Sequence, residues 1–235
     1  MNDARRSDTL LDQRTAPGWA LWLTGLPASG KTTLAYHLQE RLTQLGIPAI
    51  ILDSDAMRPI LTPQPRYSDQ ERDAFYGRMV ELSDMIVQQG GNVIVAATAN
   101  KRVHRQQARS KLPLFVEVWV CCPVEICRDR DPKDLYRRAI AGEIRGFPAV
   151  DAIYEIPLAP DVVVNTAIQS CDEATDHILQ HLLSRLGHWD TQGDEDGRKR
   201  QRLGSFIDGC VDHHRSENTK PAGEQQHIHD ESDGV

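Results

Sequence analysis

Gly25-Leu26-Pro27-Ala28-Ser29-Gly30-Lys31-Thr32 is an unbroken G-x-x-x-x-G-K-[ST] run. An apolar stretch at 19–24 precedes it. Leu34, Leu38, Leu42 and Leu45 follow at helical spacing until Gly46, so the run joins a strand to a helix. Glycines in such a loop let the main chain wrap closely, with its N–H groups aimed at phosphate oxygens, and the helix N-terminus adds partial positive charge. Lys31 is expected across the β- and γ-phosphates, with the Thr32 hydroxyl on Mg²⁺. Gly25, Leu26, Pro27, Ala28, Ser29, Gly30, Lys31, Thr32 and Thr33 are thus expected to bind ATP. A chance match in a glycine-containing turn is the bland alternative, and the strand and helix in register on either side weigh against it. The loop by itself does not separate a kinase from an NTPase or a GTP switch.

The pattern outward from the loop is strand–helix alternation. A second strand is predicted at 47–52. Ser68-x-x-Glu71 is a capping box, and Phe75, Met79, Leu82 and Ile86 form the apolar stripe of the helix it opens, which Gly90-Gly91 closes. Buried strands are predicted at 93–97 and 114–120, with a basic helix near 103–111 between them, and a short strand at 162–164. Ser170-x-x-Glu173 caps a last helix carrying Ile178, Leu182 and Leu186. This alternation predicts an α/β fold: a parallel sheet with helices on both faces.

The chain has 235 residues, 40% hydrophobic and 26% charged, with a net charge of −7. That balance argues against nucleic-acid binding, where a basic excess is expected. No apolar run approaches the roughly 20 residues of a membrane helix, and the first residues lack the apolar segment of a secretory signal. A cytoplasmic location is expected. Residues 190–235 hold 11 acids and 6 bases, leaving 23 acids and 21 bases before them. Such a tail buries too little apolar surface to offset the entropy of ordering. The predicted organisation is a loose N-terminus (1–16), one domain (17–188) and a disordered tail (189–235), whose histidines read as solvated. The five cysteines show no paired C-x-x-C spacing and read as reduced, mostly buried thiols.

Leu52-Asp53-Ser54-Asp55-Ala56-Met57-Arg58 follows the second strand. Ligands of open parallel sheets sit beyond the carboxyl ends of the strands, which places Asp53 and Asp55 near the terminal phosphate. One carboxylate can take the proton of an attacking hydroxyl while the other orients the acceptor or a Mg²⁺-bound water. A solvated turn with an aspartate cap is the alternative. The third strand ends without an acid, so this pair carries more of the work.

With these blocks in view, the chain resembles the adenylyl-sulfate (APS) kinase family of P-loop kinases over roughly residues 19–186. The resemblance rests on Gly25–Thr33, on the run 52–58, on Tyr-Ser-Asp-Gln-Glu-Arg at 67–72, and above all on RDPKDLYRRAIAGEIRGFPAVDAIYEIP at 130–157. The last is similar to that family's lid. The resemblance implies a P-loop kinase fold with a lid segment. It also implies transfer of the ATP γ-phosphate to the 3′-hydroxyl of adenosine 5′-phosphosulfate, giving 3′-phosphoadenosine 5′-phosphosulfate. By position, Asp53 and Asp55 match the acidic pair, with Asp55 activating the hydroxyl. Arg58 and Arg72 match the arginines that hold the phosphosulfate. Lys133 matches the lid lysine that reaches the acceptor's anionic groups, and Tyr67 and Phe147 match the aromatics that sandwich the acceptor adenine. Related kinases are often dimers, so a homodimer is expected.

The chain departs from the family on the acceptor side. Phe75 stands where asparagine is usual and reads as core packing. The stretch after the third strand is Thr98-Ala99-Asn100-Lys101, without the family's serine, so no covalent intermediate is placed there. Two alternatives stay open at this point: a kinase for another nucleotide-like acceptor, such as a cytidine diphosphoramidate, and a catalytically silent nucleotide-binding module.

Overall fold

The computed structural model describes residues 18–64 and 68–186. The predicted loose N-terminus, the tail, and Tyr67 lie outside them. Five parallel strands, β1 (Ala20–Thr24), β2 (Ile50–Asp53), β3 (Val93–Ala96), β4 (Phe115–Cys121) and β5 (Val162–Asn165), form one sheet in the order β2-β3-β1-β4-β5. The helices are α1 (Lys31–Gln44), α2 (Ser54–Leu61), α3 (Asp69–Gln88), α4 (Arg102–Lys111), α5 (Val124–Arg130), α6 (Leu135–Ile140) and α7 (Cys171–Leu186).

Burial on both faces explains why β1 reads as an uninterrupted apolar run. Leu21 and Leu23 pack with Leu34, Leu38 and Leu42 of α1 and Ile178 and Leu182 of α7. Ala20 and Trp22 face the other way, onto Phe75, Met79 and Val80 of α3 and Ala108 of α4. The predicted two-faced α/β layering is therefore present. The capping box of α7 is reciprocal: the Glu173 N–H donates to Ser170 Oγ (3.2 Å) and the Ser170 N–H to Glu173 Oε2 (2.8 Å).

The second strand begins later than its apolar run predicts. The Ile47 N–H donates to Leu42 O (2.8 Å), closing α1, and Pro48 has no N–H to give. Ladder pairing begins only at Ile50, whose N–H meets Asn92 O at 2.8 Å. Cys122, Cys127 and Cys171 are free thiols, as expected. Among the described residues no helix is long and apolar enough to cross a membrane.

The order of the sheet decides where a ligand goes. The connection from β1 runs to β2 on one side, whereas that from β3 crosses β1 to reach β4 on the other, so the chain reverses direction across the sheet here and opens a crevice at the carboxyl ends of these strands. The chain between β4 and β5 covers that crevice with α5, α6 and an irregular segment. This lid has a small core of its own, in which Tyr136, Phe147 and Tyr154 pack with Leu26 of the phosphate loop. Its return stem is stitched to the β3–α4 turn: the Glu155 N–H donates to Asn100 O (2.8 Å) and Arg102 Nε to Ile156 O (2.8 Å). Arg105, buried and paired with Glu117 at 2.9 Å, donates to Ala99 O and Glu155 O.

Candidate active site

A cavity of about 1200 Å³ fills the crevice, lined by the phosphate loop, the start of α2, one end of α3 and the lid. Single-ligand pockets run to roughly 300–1,000 Å³, so this one has room for more than one nucleotide-sized ligand.

The phosphate loop forms one end. Gly30 holds φ +94°, a left-handed conformation that favours glycine, and thereby turns the chain into α1. Among the described residues no side chain caps that helix, so its first N–H groups face the cavity. The loop is braced from two sides: Tyr136 Oη donates to Pro27 O (3.1 Å) and Thr166 Oγ1 to Ser29 O (2.8 Å). Lys31 is buried, and its ammonium donates to the loop carbonyls of Gly25 (3.0 Å) and Leu26 (2.7 Å). Burial lowers its pKa to about 8. Thr32 Oγ1 donates to Asp53 Oδ2 at 2.7 Å, while Asp53 Oδ1 accepts from the Asp55 N–H (2.8 Å) and so caps α2. Asp53 is thus both the helix cap that its local sequence suggests and a neighbour of the phosphate loop.

Asp55, on the first turn of α2, projects into the cavity, where Lys133 of the lid donates to its Oδ2 at 2.6 Å. The Asp55 carboxylate holds the Lys133 ammonium above its ordinary pKa. Here the lid lysine meets the carboxylate itself, across 78 residues of sequence. Arg58, one turn on, lays its guanidinium 3.6 Å from the centroid of Phe75. Phe75 is indeed core, with no exposed surface, but its ring is also the platform for a cavity-lining arginine. Arg72 is 7% exposed and lines the cavity with no ion-pair partner among the described residues. Gly146 of the lid closes onto it; a Cβ there would lie 2.9 Å from Arg72 Nη2. Phe147 lines the cavity and stands edge-on to Tyr136, with centroids 5.0 Å apart.

Of the predicted site residues, Pro27, Ala28, Gly30, Lys31, Thr32, Thr33, Asp53, Asp55, Arg58, Arg72, Lys133 and Phe147 line this one cavity. Gly25, Leu26 and Ser29 lie behind it, their carbonyls taken by Lys31 and Thr166. The sequence reading missed Thr166, which Arg130 grips through Oγ1 (3.1 Å) and the main-chain oxygen (2.6 Å). Its place directly after β5, at a strand's carboxyl end, was the available signal.

The donor set suits Mg²⁺. That ion is usually held by one or two side-chain oxygens together with phosphates and waters, not by a cage of protein ligands. Thr32 Oγ1 and Asp53 Oδ2 lie side by side at the phosphate loop. Among the described residues there is no cluster of three or more histidines, cysteines or acids to compete for a metal.

The sequence profile of the adenylylsulphate kinase family matches residues 17–165. The adenylyl-sulfate kinase of Synechococcus sp. (strain JA-3-3Ab) is 40% identical over 167 residues, covering 71% of this chain and 95% of that protein. That of Vibrio cholerae is 39% identical over 185 residues, covering 78% and 85%. Among solved structures, the Mycobacterium tuberculosis APS kinase in complex with AMPPNP and APS superposes with a TM-score of 0.67 at 32% identity, covering 71% of this chain and 98% of that one. Matched by that profile over more than half its length and 40% identical to a relative that it covers almost entirely, this chain belongs to the adenylyl-sulfate kinase family.

Proposed function

We propose that the chain transfers the γ-phosphoryl group of ATP to the 3′-hydroxyl of adenosine 5′-phosphosulfate, giving ADP and 3′-phosphoadenosine 5′-phosphosulfate. One observation carries the reading. A single cavity holds the phosphate loop at one end and Asp55, Arg58, Arg72 and Lys133 at the other. It thus unites a triphosphate cradle with a carboxylate and three cations suited to a second, anionic nucleotide. Asp55 takes the 3′-hydroxyl proton as the oxygen bonds to the γ-phosphorus and the bond to the β-phosphate oxygen breaks. Arg58 and Arg72 grip the phosphosulfate, the fork of each guanidinium matching its oxygens. Lys133 exchanges Asp55 for the incoming anion, which frees the carboxylate as the lid closes and excludes water. Tyr67 and Phe147 flank the acceptor adenine. Lys31 spans the β- and γ-phosphates, while Thr32 and Asp53 hold Mg²⁺, which when bound neutralises charge on those oxygens. The proposed setting is the cytoplasm and the proposed assembly a homodimer, with a light-scattering mass of twice 26.4 kDa.

ADP release with ATP–Mg²⁺ and a panel of acceptors tests the reading. Turnover with adenosine 5′-phosphosulfate is expected. Turnover confined to another acceptor, such as a cytidine diphosphoramidate, would transfer the reading to that substrate; nucleotide binding without any turnover would mark a silent module.

Two further results are expected. Binding of triphosphate prefers the charged form of Lys31, whose pKa in the free protein is about 8. ATP affinity should therefore be flat below that pH and fall above it, by up to about tenfold per pH unit, until the pKa of the complex is reached. Titration calorimetry from about pH 7 to about pH 9.5 checks this. Phe75→Leu keeps the position apolar but removes the ring beneath Arg58. A partly buried cation–π contact of about 1 kcal/mol should appear as a roughly fivefold rise in KM for the acceptor, with KM for ATP unchanged.

A further inference from the structure

Asn100, in the turn between β3 and α4, is 5% exposed and lines the cavity. Its Nδ2 donates to Ile153 O of the lid stem at 3.0 Å. That bond settles which way round the amide lies, because the reverse orientation would set two oxygens against each other. Oδ1 then points away from Ile153, is buried, and has no hydrogen-bond partner among the described residues. Leaving a buried acceptor unsatisfied forfeits its hydration with nothing in return, and native proteins rarely tolerate one without a use for it.

The chemistry of the missing partner is constrained. A carbonyl oxygen takes an N–H or O–H donor and repels phosphate or sulfate oxygens, so the acceptor's anionic end belongs with Arg58, Arg72 and Lys133. Under the proposed function, on which this inference rests, the 3′-hydroxyl is directed at Asp55. Phe147 lines the same cavity. The main-chain oxygen of Phe147 accepts from the Ala152 N–H (3.1 Å), immediately before the residue that Asn100 ties down. An aromatic side chain and a lone acceptor on the wall of one cavity suit a flat base that bears an amine. We propose that Asn100 is a specificity-determining residue, its Oδ1 accepting a hydrogen bond from the exocyclic 6-amino group of the acceptor's adenine.

The test compares kcat/KM for adenosine 5′-phosphosulfate with that for the purine riboside 5′-phosphosulfate lacking the 6-amino group. The unaltered chain should prefer the amino compound by about 10–100-fold, since the analogue leaves Oδ1 unpaired. In Asn100→Ala and Asn100→Leu the preference should shrink to within about threefold, with KM for ATP unchanged. Loosening of the lid stem alone would penalise both acceptors alike and leave their ratio as it was. Equal use of the two acceptors by the unaltered chain overturns the proposal without any substitution, and an undiminished preference in a folded variant overturns it as well. Either result leaves the proposed function standing. Failure to turn over adenosine 5′-phosphosulfate at all removes the proposed function and this inference together.

Discussion

Asp55→Asn is expected to lower kcat by about 10²–10⁴-fold while the Kd for ATP changes by less than about threefold. The amide keeps the shape of the carboxylate but cannot take the hydroxyl proton. Helix α2 should persist, because its cap is Asp53, which accepts from the Asp55 and Ala56 N–H groups. The substitution also weakens the bond to Lys133, but that pair is half-exposed, with side chains 57% and 62% accessible. Exposed ion pairs contribute only about 0–1 kcal/mol, less than a tenfold effect. A loss of a hundredfold or more therefore reports the proton acceptor and not the tether. Single-turnover kinetics with ATP bound makes the measurement. A rate within tenfold of normal would show that Asp55 is not the base.

Lys31→Met is expected to reduce kcat by about 10²–10³-fold and to weaken ATP binding as well, because the ammonium opposes charge on the β- and γ-phosphates in both ground and transition states. The fold should not suffer. Without nucleotide the ammonium is buried among loop carbonyls, and burial already disfavours its charge, as the lowered pKa records. Methionine fills a similar volume without that penalty, so the melting temperature should hold or rise. Loss of activity together with a lower melting temperature would instead indicate a lysine that organises the loop.

Particular residues show how far the sequence could be read. The phosphate loop, the Ser170-x-x-Glu173 box and the leucine stripe of α1 are local. Their spacing encodes hydrogen bonds and faces formed within a few residues, so they could be placed before any fold was known. The start of β2 could not, because an apolar run does not reveal that Ile47 spends its N–H on α1 and that Pro48 has none. Phe75 could be assigned to the core by its period, but periodicity says nothing of the guanidinium resting on its outer face.

Taken alone, the amino-acid order determined that this is a two-faced parallel α/β protein with a triphosphate loop opening α1. Those features follow from residues close together in the chain. Only the tertiary structure decided which distant groups meet. Lys133 rests on Asp55 across 78 positions, Thr166 braces Ser29 across 137, and Asn100 is tied to Ile153 across 53 with its Oδ1 left waiting. Such pairings depend on the strand order of the sheet and on the closure of the lid, and no local pattern of spacing records either.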